Sequence, residues 1–196
     1  MRAKSINVLL LAWIAGLAGV AVGCGEFIRQ DRSPVTLVVD ALDAASGAED
    51  SPTFSGTLQS DVVTAGSVFS DSGRVTMRLI MKDVLTAPTA VNAVTINRYR
   101  VTFRRSDGRN TAGVDVPHPF DTAVTFTVAP GVSTQRSFEL IRHNAKFEAP
   151  LLGLINAFVT LSTIADVTFF GRDQAGNELS ATGSIGIQFG NFADPD

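Results

Sequence analysis

The sequence predicts an all-β fold, an antiparallel β-sandwich, and three observations predict it. Threonine, valine, phenylalanine, glycine and serine are plentiful, while lysine, glutamate and tyrosine are scarce, the balance of a chain made of strands and turns. About eight short runs alternate apolar and polar residues at the two-residue period of a half-buried strand. Only one stretch repeats its apolar residues at helical spacing. Strand after strand without intervening helices reads as two packed sheets.

The domain is expected over residues 35–192, with a tail at 193–196. VTLVVDAL (35–42) opens it, and TFSGTLQSDVV (53–63) follows. In RVTMRLIMK (74–82), Val75, Met77, Leu79 and Met81 share one face, against Arg74, Thr76, Arg78, Ile80 and Lys82. LTAPTAVNA (85–93) has a proline and no period, so it is a loop. VTINRYRVTFRRSDGRN then sets Tyr99, Val101 and Phe103 against Arg98, Arg100, Thr102 and Arg104, and turns at Asp107-Gly108. AVTFTVAPG (123–131) places Val124, Phe126 and Val128 together, and SFELIRH (137–143) is a further strand candidate. In APLLGLINAF, Leu151, Leu154, Ile155 and Phe158 recur at helical spacing behind Pro150, predicting a short helix or turn between two strands. A final hairpin faces Ala165, Val167 and Phe169 inward, and after its turn Ile185, Ile187 and Phe189.

Within that hairpin, VTFFGRDQAGNELSATGSI resembles the last hairpin of bacterial immunoglobulin-like and fibronectin type III-like domains. There an alternating strand runs into Asp-x-x-Gly-Asn and a serine-rich return strand. INRYRVTFRRSDG resembles their middle strand. Ala165 falls where such domains often carry the tyrosine-corner residue. The resemblance implies an immunoglobulin-like sandwich and transfers no functional residue.

Ahead of the domain, MRAKSIN holds Arg2 and Lys4 and no acid, and an apolar run follows from Val8 to Val22. A charged start, a short apolar core and small residues at its end are the parts of a secretory signal, expected over residues 1–23. The core is shorter than the roughly 20 residues that span a bilayer. AVGC, which is Ala21, Val22, Gly23 and Cys24, resembles the lipobox of bacterial lipoproteins, where peptidase cuts before a cysteine that takes up lipid. Alanine stands where that motif usually has leucine. The resemblance implies recognition of Ala21, Val22 and Gly23 and lipidation of Cys24, with residues 24–34 as a tether. The whole chain also resembles bacterial lipoproteins of similar length. Gly25 is not the aspartate that retains such proteins at the inner membrane of enteric-type bacteria, so the implied location is the cell envelope, at the outer membrane where one exists. Two other readings fit the same residues: an ordinary cleaved signal with a buried structural Cys24, or an uncleaved N-terminal anchor.

Cys24 is the only cysteine, so an exported fold has no disulfide and stands on its core. The formal charge of −3 argues against nucleic acid as a partner.

Three further groups are candidate sites. Asp173, Asn177 and Glu178 are oxygen donors for a calcium ion, although the spacing is not that of an EF-hand. The plainer reading is a hairpin turn in which Gly176 and Asn177 take positive φ and Asp173 caps. Arg98, Arg100 and Arg104 share a strand face, and with Arg78 and Lys82 on a neighbouring strand they would make a basic stripe for an anionic partner. Paired across strands with acids, they would instead form a solvated outer face. His118, between the prolines of VPHPF, and His143 are isolated, and no Gly-x-Ser-x-Gly elbow or phosphate loop occurs.

The expected function is a membrane-anchored, non-enzymatic binding or structural lipoprotein, with an envelope protein or polymer as partner. No cofactor beyond covalent lipid is expected. Sugar binding is disfavoured, because the sole tryptophan, Trp13, lies in the signal and the sole tyrosine, Tyr99, on an inward face. The alternative is an envelope hydrolase or metal-dependent enzyme, whose sign would be His118, His143 and two or more carboxylates gathered in space.

Overall fold

The computed structural model describes residues 32–49 and 51–192. The expected signal segment, Cys24 and the 193–196 tail lie outside the described residues. Eight strands make the fold: β1 (Val35–Ala45), β2 (Thr57–Asp61), β3 (Asp71–Met81), β4 (Val94–Arg104), β5 (Phe120–Val128), β6 (Thr134–Ile141), β7 (Leu161–Asp173) and β8 (Glu178–Gly190). Three short 3-10 turns accompany them, at Ala90–Asn92, His143–Phe147 and Leu151–Leu154, and no α-helix occurs among the described residues.

The strands form a three-stranded sheet, β1-β3-β6, and a five-stranded sheet, β2-β8-β7-β4-β5. All pairs are antiparallel except β2 with β8, which run parallel. This departs from the wholly antiparallel expectation. After β1 the chain doubles back, with Ala44 and Ser55 exchanging both main-chain hydrogen bonds. A second reversal then sends β2 along the edge of the final strand. That detour also leaves a strand of only Thr57–Asp61 where 53–63 was expected.

Two bulges bring the apolar pattern into register with the core. In β4, Val94 and Ile96 are buried, and so are Tyr99, Val101 and Phe103. A strict two-residue period cannot face both sets inward. The register slips at Asn97 against both neighbouring strands, and the extra residue switches the phase. Gly171 makes room for it, since a Cβ there would fall 2.7 Å from the Thr95 carbonyl oxygen and 2.8 Å from Ile96 Cδ1. A slip at Asp40 does the same in β1, between Val35–Leu37 and Leu42–Ala44.

The two sheets share one core. At its centre Phe138 of β6 packs edge-on against Tyr99 of β4 and Phe169 of β7, at ring separations of 5.0 and 5.3 Å. The Phe138 ring lies over Gly73 of the next strand, the one residue type that leaves it space. Behind Pro150, Leu151 and Leu154 are buried in a single 3-10 turn, whose three-residue repeat superposes those positions. The turn ends before the expected fourth member of that face, and Phe158 is fully exposed.

The packed sheets have a proximal end, where the described chain enters at residues 32–34, and an opposite, distal end. Ser33 is buried and the amide of Lys82 donates to the Pro34 carbonyl (2.9 Å), so the last residues of the expected tether are built into the proximal end. The connections β3–β4, β5–β6 and β7–β8 lie there, and the other connections lie at the distal end.

Candidate functional site

Beside the Asn97 bulge, a shallow cleft of about 210 Å³ lies on the outer face of the five-stranded sheet, lined by Arg98, Phe170, Arg172 and Glu178. The Arg98 guanidinium lies 4.0 Å over the Phe170 ring and donates to Asp121 at 2.7 Å. Arg172 donates to Glu178 at 2.8 Å. Beyond that pair, Arg32 joins Gly176 and Asn177 around a second groove. Drug-sized ligands occupy pockets of about 300 Å³ or more, so the cleft is too small for one. Its sequence signal was the phase break between Ile96 and Tyr99, which the arginine alternation alone does not reveal.

The arginines do not form one stripe. Arg98, Arg100 and Arg104 lie on β4 of the larger sheet, whereas Arg78 and Lys82 belong to β3 and the residue after it, on the smaller one. The strands are not neighbours, so the condition for a continuous stripe is not met. Arg98 and Arg100 share Asp121. Arg104 pairs with Asp166, which also accepts from Ser184 (2.6 Å), and Arg78 pairs with the bulged Asp40. Cross-strand acids thus meet these charges, and exposed pairs of this type contribute at most about 1 kcal/mol each.

Asp173 and Asn177 are brought together at the β7–β8 turn. One Asp173 oxygen accepts from the amides of Ala175 (3.0 Å) and Asn177 (2.8 Å), and the other from the Asn177 side chain (2.8 Å). Burial pushes the Asp173 carboxyl up, but these donors and the Ser33 hydroxyl outweigh it and hold it below the usual carboxylate range. Only Gly176 takes positive φ (84°), not Asn177 as expected. Glu178 is turned to Arg172.

His143 lies against Phe147, with ring centroids 5.0 Å apart. His118 fills the space beside Gly113, where a Cβ would fall 2.3 Å from its Nε2. Among the described residues no three His, Cys, Asp or Glu side chains gather as a metal-binding group.

A second polar group, at the distal end, gave no sequence signal. Lys146 is wholly buried, with Nζ 3.0 Å from Asp71 Oδ2 and donating to the Asp61 carbonyl at 2.7 Å. Asp71, also buried, accepts from the Ser60 hydroxyl (2.6 Å) and the Gly47 amide (3.1 Å). Asp61 in turn accepts from Thr64 and from the amide of Phe192. Loop, strand ends, 3-10 turn and C-terminal segment are thereby joined at one point. Enclosed on all sides, the group is placed to hold the distal end together, not to meet a substrate. The sequence matches no protein-family model, and no curated protein matches it.

Proposed function

We propose that the protein is a lipid-anchored, non-enzymatic binding or structural lipoprotein of the bacterial cell envelope, and that its two sheets form an immunoglobulin-like sandwich. The observation that carries the proposal is the position of Cys24, the sole cysteine, behind the small residues that end a short apolar run with a basic start. Small residues at the cut let the backbone enter a narrow peptidase site, and the thiol is the nucleophile that receives the diacylglycerol. More than one acyl chain is needed for lasting attachment, and a lipidated, N-acylated cysteine supplies it. The anchor would confine the domain to a surface and raise its effective concentration toward partners there. Loops carried by the sandwich would make the contact.

The arrangement of the domain supports this. Arg32, eight residues after Cys24, lines a groove with Gly176 and Asn177 at the proximal end, so an anchor at Cys24 would leave the distal loops directed away from it. The test is Cys24→Ala in the full chain. The variant should remain unprocessed and lose incorporation of a fatty-acid probe, and normal processing would refute the proposal.

A further inference from the structure

We infer that the proximal end docks on a bilayer surface, with Val84 and Leu85 as the tip that enters the interfacial layer; this rests on the lipid anchor at Cys24. Asp83 builds the tip. Its carboxylate accepts from the Leu85 amide (2.9 Å) and the Thr86 hydroxyl (2.7 Å), and the Thr86 amide donates to its carbonyl (3.2 Å). This closes a turn whose two central residues are Val84 and Leu85. They are 88% and 92% exposed, so nothing in the domain covers them. Further along the same connection Val91 is 69% exposed, on a 3-10 turn whose start is held by Asn92 accepting from Thr89. Val132, in the β5–β6 connection at the same end, is 60% exposed. Single exposed aliphatic side chains are ordinary, and the distal connections also expose Val114, Leu152 and Phe158, so what sets the proximal tip apart is its place beside the incoming chain.

The chain before the domain identifies what it meets. The tip begins two residues after Lys82, whose amide holds Pro34, so tip and incoming chain leave the domain side by side. From Cys24 to Arg32 the chain reaches at most about 29 Å when extended and about 16 Å as a flexible coil. β7 and β8, of 13 residues each, are about 43 Å long. A lipid anchor on a tether shorter than the domain keeps the proximal end toward the bilayer. Aliphatic tips held at that boundary gain from burial in it, in proportion to the apolar area that enters.

The test uses the mature lipidated chain in vesicles of phosphatidylethanolamine and phosphatidylglycerol. A polarity-sensitive thiol dye is placed on L85C or, as the distal control, on V114C. With Cys24 acylated, each variant carries one free thiol. Docking predicts that the L85C dye shifts to shorter wavelength, is quenched by nitroxide-labelled lipid, and is shielded from iodide several-fold better than the V114C dye. Adding V84D to L85C should reverse the shift. Equal iodide access at both positions, in protein whose intact mass carries the acyl chains, overturns docking and leaves the anchor standing. A mass without acyl chains overturns anchor and docking together.

Discussion

The Tyr99 hydroxyl, on β4 of the larger sheet, donates to the main-chain carbonyl of Glu139, on β6 of the smaller sheet, at 2.8 Å. A polar tie thus crosses from one sheet to the other beside the Tyr99–Phe138–Phe169 ring cluster. It joins the sheets by a side chain, whereas within each sheet they are held by backbone ladders. The ring is 3% exposed, so the hydroxyl needs this partner.

Replacing Tyr99 by phenylalanine keeps the ring packing and removes the tie, which should cost about 1 kcal/mol, read as a lower urea midpoint with unchanged slope. A second signature lies at high pH. Burial, reinforced by the Glu139 carboxylate, pushes the hydroxyl up to about 12. An unfolded tyrosine ionises near 10, so between about pH 10 and 12 the unfolded state loses a proton that the folded state keeps. The native chain should lose about 2–3 kcal/mol more than Tyr99→Phe across that window. Parallel alkaline stability curves for the two proteins would contradict this.

The Lys146–Asp71 pair predicts a non-additive result. Lys146→Met leaves a buried Asp71 carboxylate with only Ser60 and the Gly47 amide, and removing one partner of such a pair costs about 3–5 kcal/mol. Adding Asp71→Leu removes the stranded charge, so the double variant should be more stable than Lys146→Met alone. A double variant whose loss equals the sum of the singles would mean that the two groups are not coupled.

The same cluster shows where sequence reading stops. Strand faces were legible because alternation is local: Val75, Met77 and Leu79, or Val167 and Phe169, each announce their own side. The turn residues Gly108 and Gly176 were legible for the same reason, since positive φ is a local demand. Lys146, Asp71 and Ser60 come from three separate segments and carry no period, so only the closed fold reveals them. The Asn97 bulge lies between these cases. Both apolar phases of β4 are written in VTINRYRVTF, but it takes the pairing with β5 and β7 to show that they belong to one strand. β2 was over-extended because its limits are set by parallel pairing with β8, a contact distant in sequence.

Gly171 tests the bulge directly. A methyl group there would meet the Thr95 carbonyl and Ile96 inside contact distance, so Gly171→Ala should destabilise by about 1–3 kcal/mol. It should also disturb Arg98, which follows the bulge and lines the cleft. Gly153→Ala is the control. Its Cβ would have no atom within 4 Å, and the change should stay within about 0.5 kcal/mol. Equal effects at the two sites would show that the close approach of the two strands at Gly171 carries no cost.

Asp173 predicts an acid-sensitive end to the domain. Its donors favour the charged form and hold the folded carboxyl below the unfolded value of about 3.9. A depressed folded pKa gives stabilisation that is complete above the unfolded pKa and disappears as pH falls through the folded one. The β7–β8 turn should therefore loosen below about pH 4, seen as faster amide exchange at Ala175 and Asn177, whose amides Asp173 accepts. Asp173→Asn cannot ionise, so its turn amides should exchange faster at neutral pH and change less on acidification. Asp166, also held low by Arg104 and Ser184 against the effect of burial, remains in the variant and accounts for acid dependence elsewhere in the larger sheet. Turn amides that respond to acid identically in the native chain and in Asp173→Asn would show that Asp173 does not hold this turn.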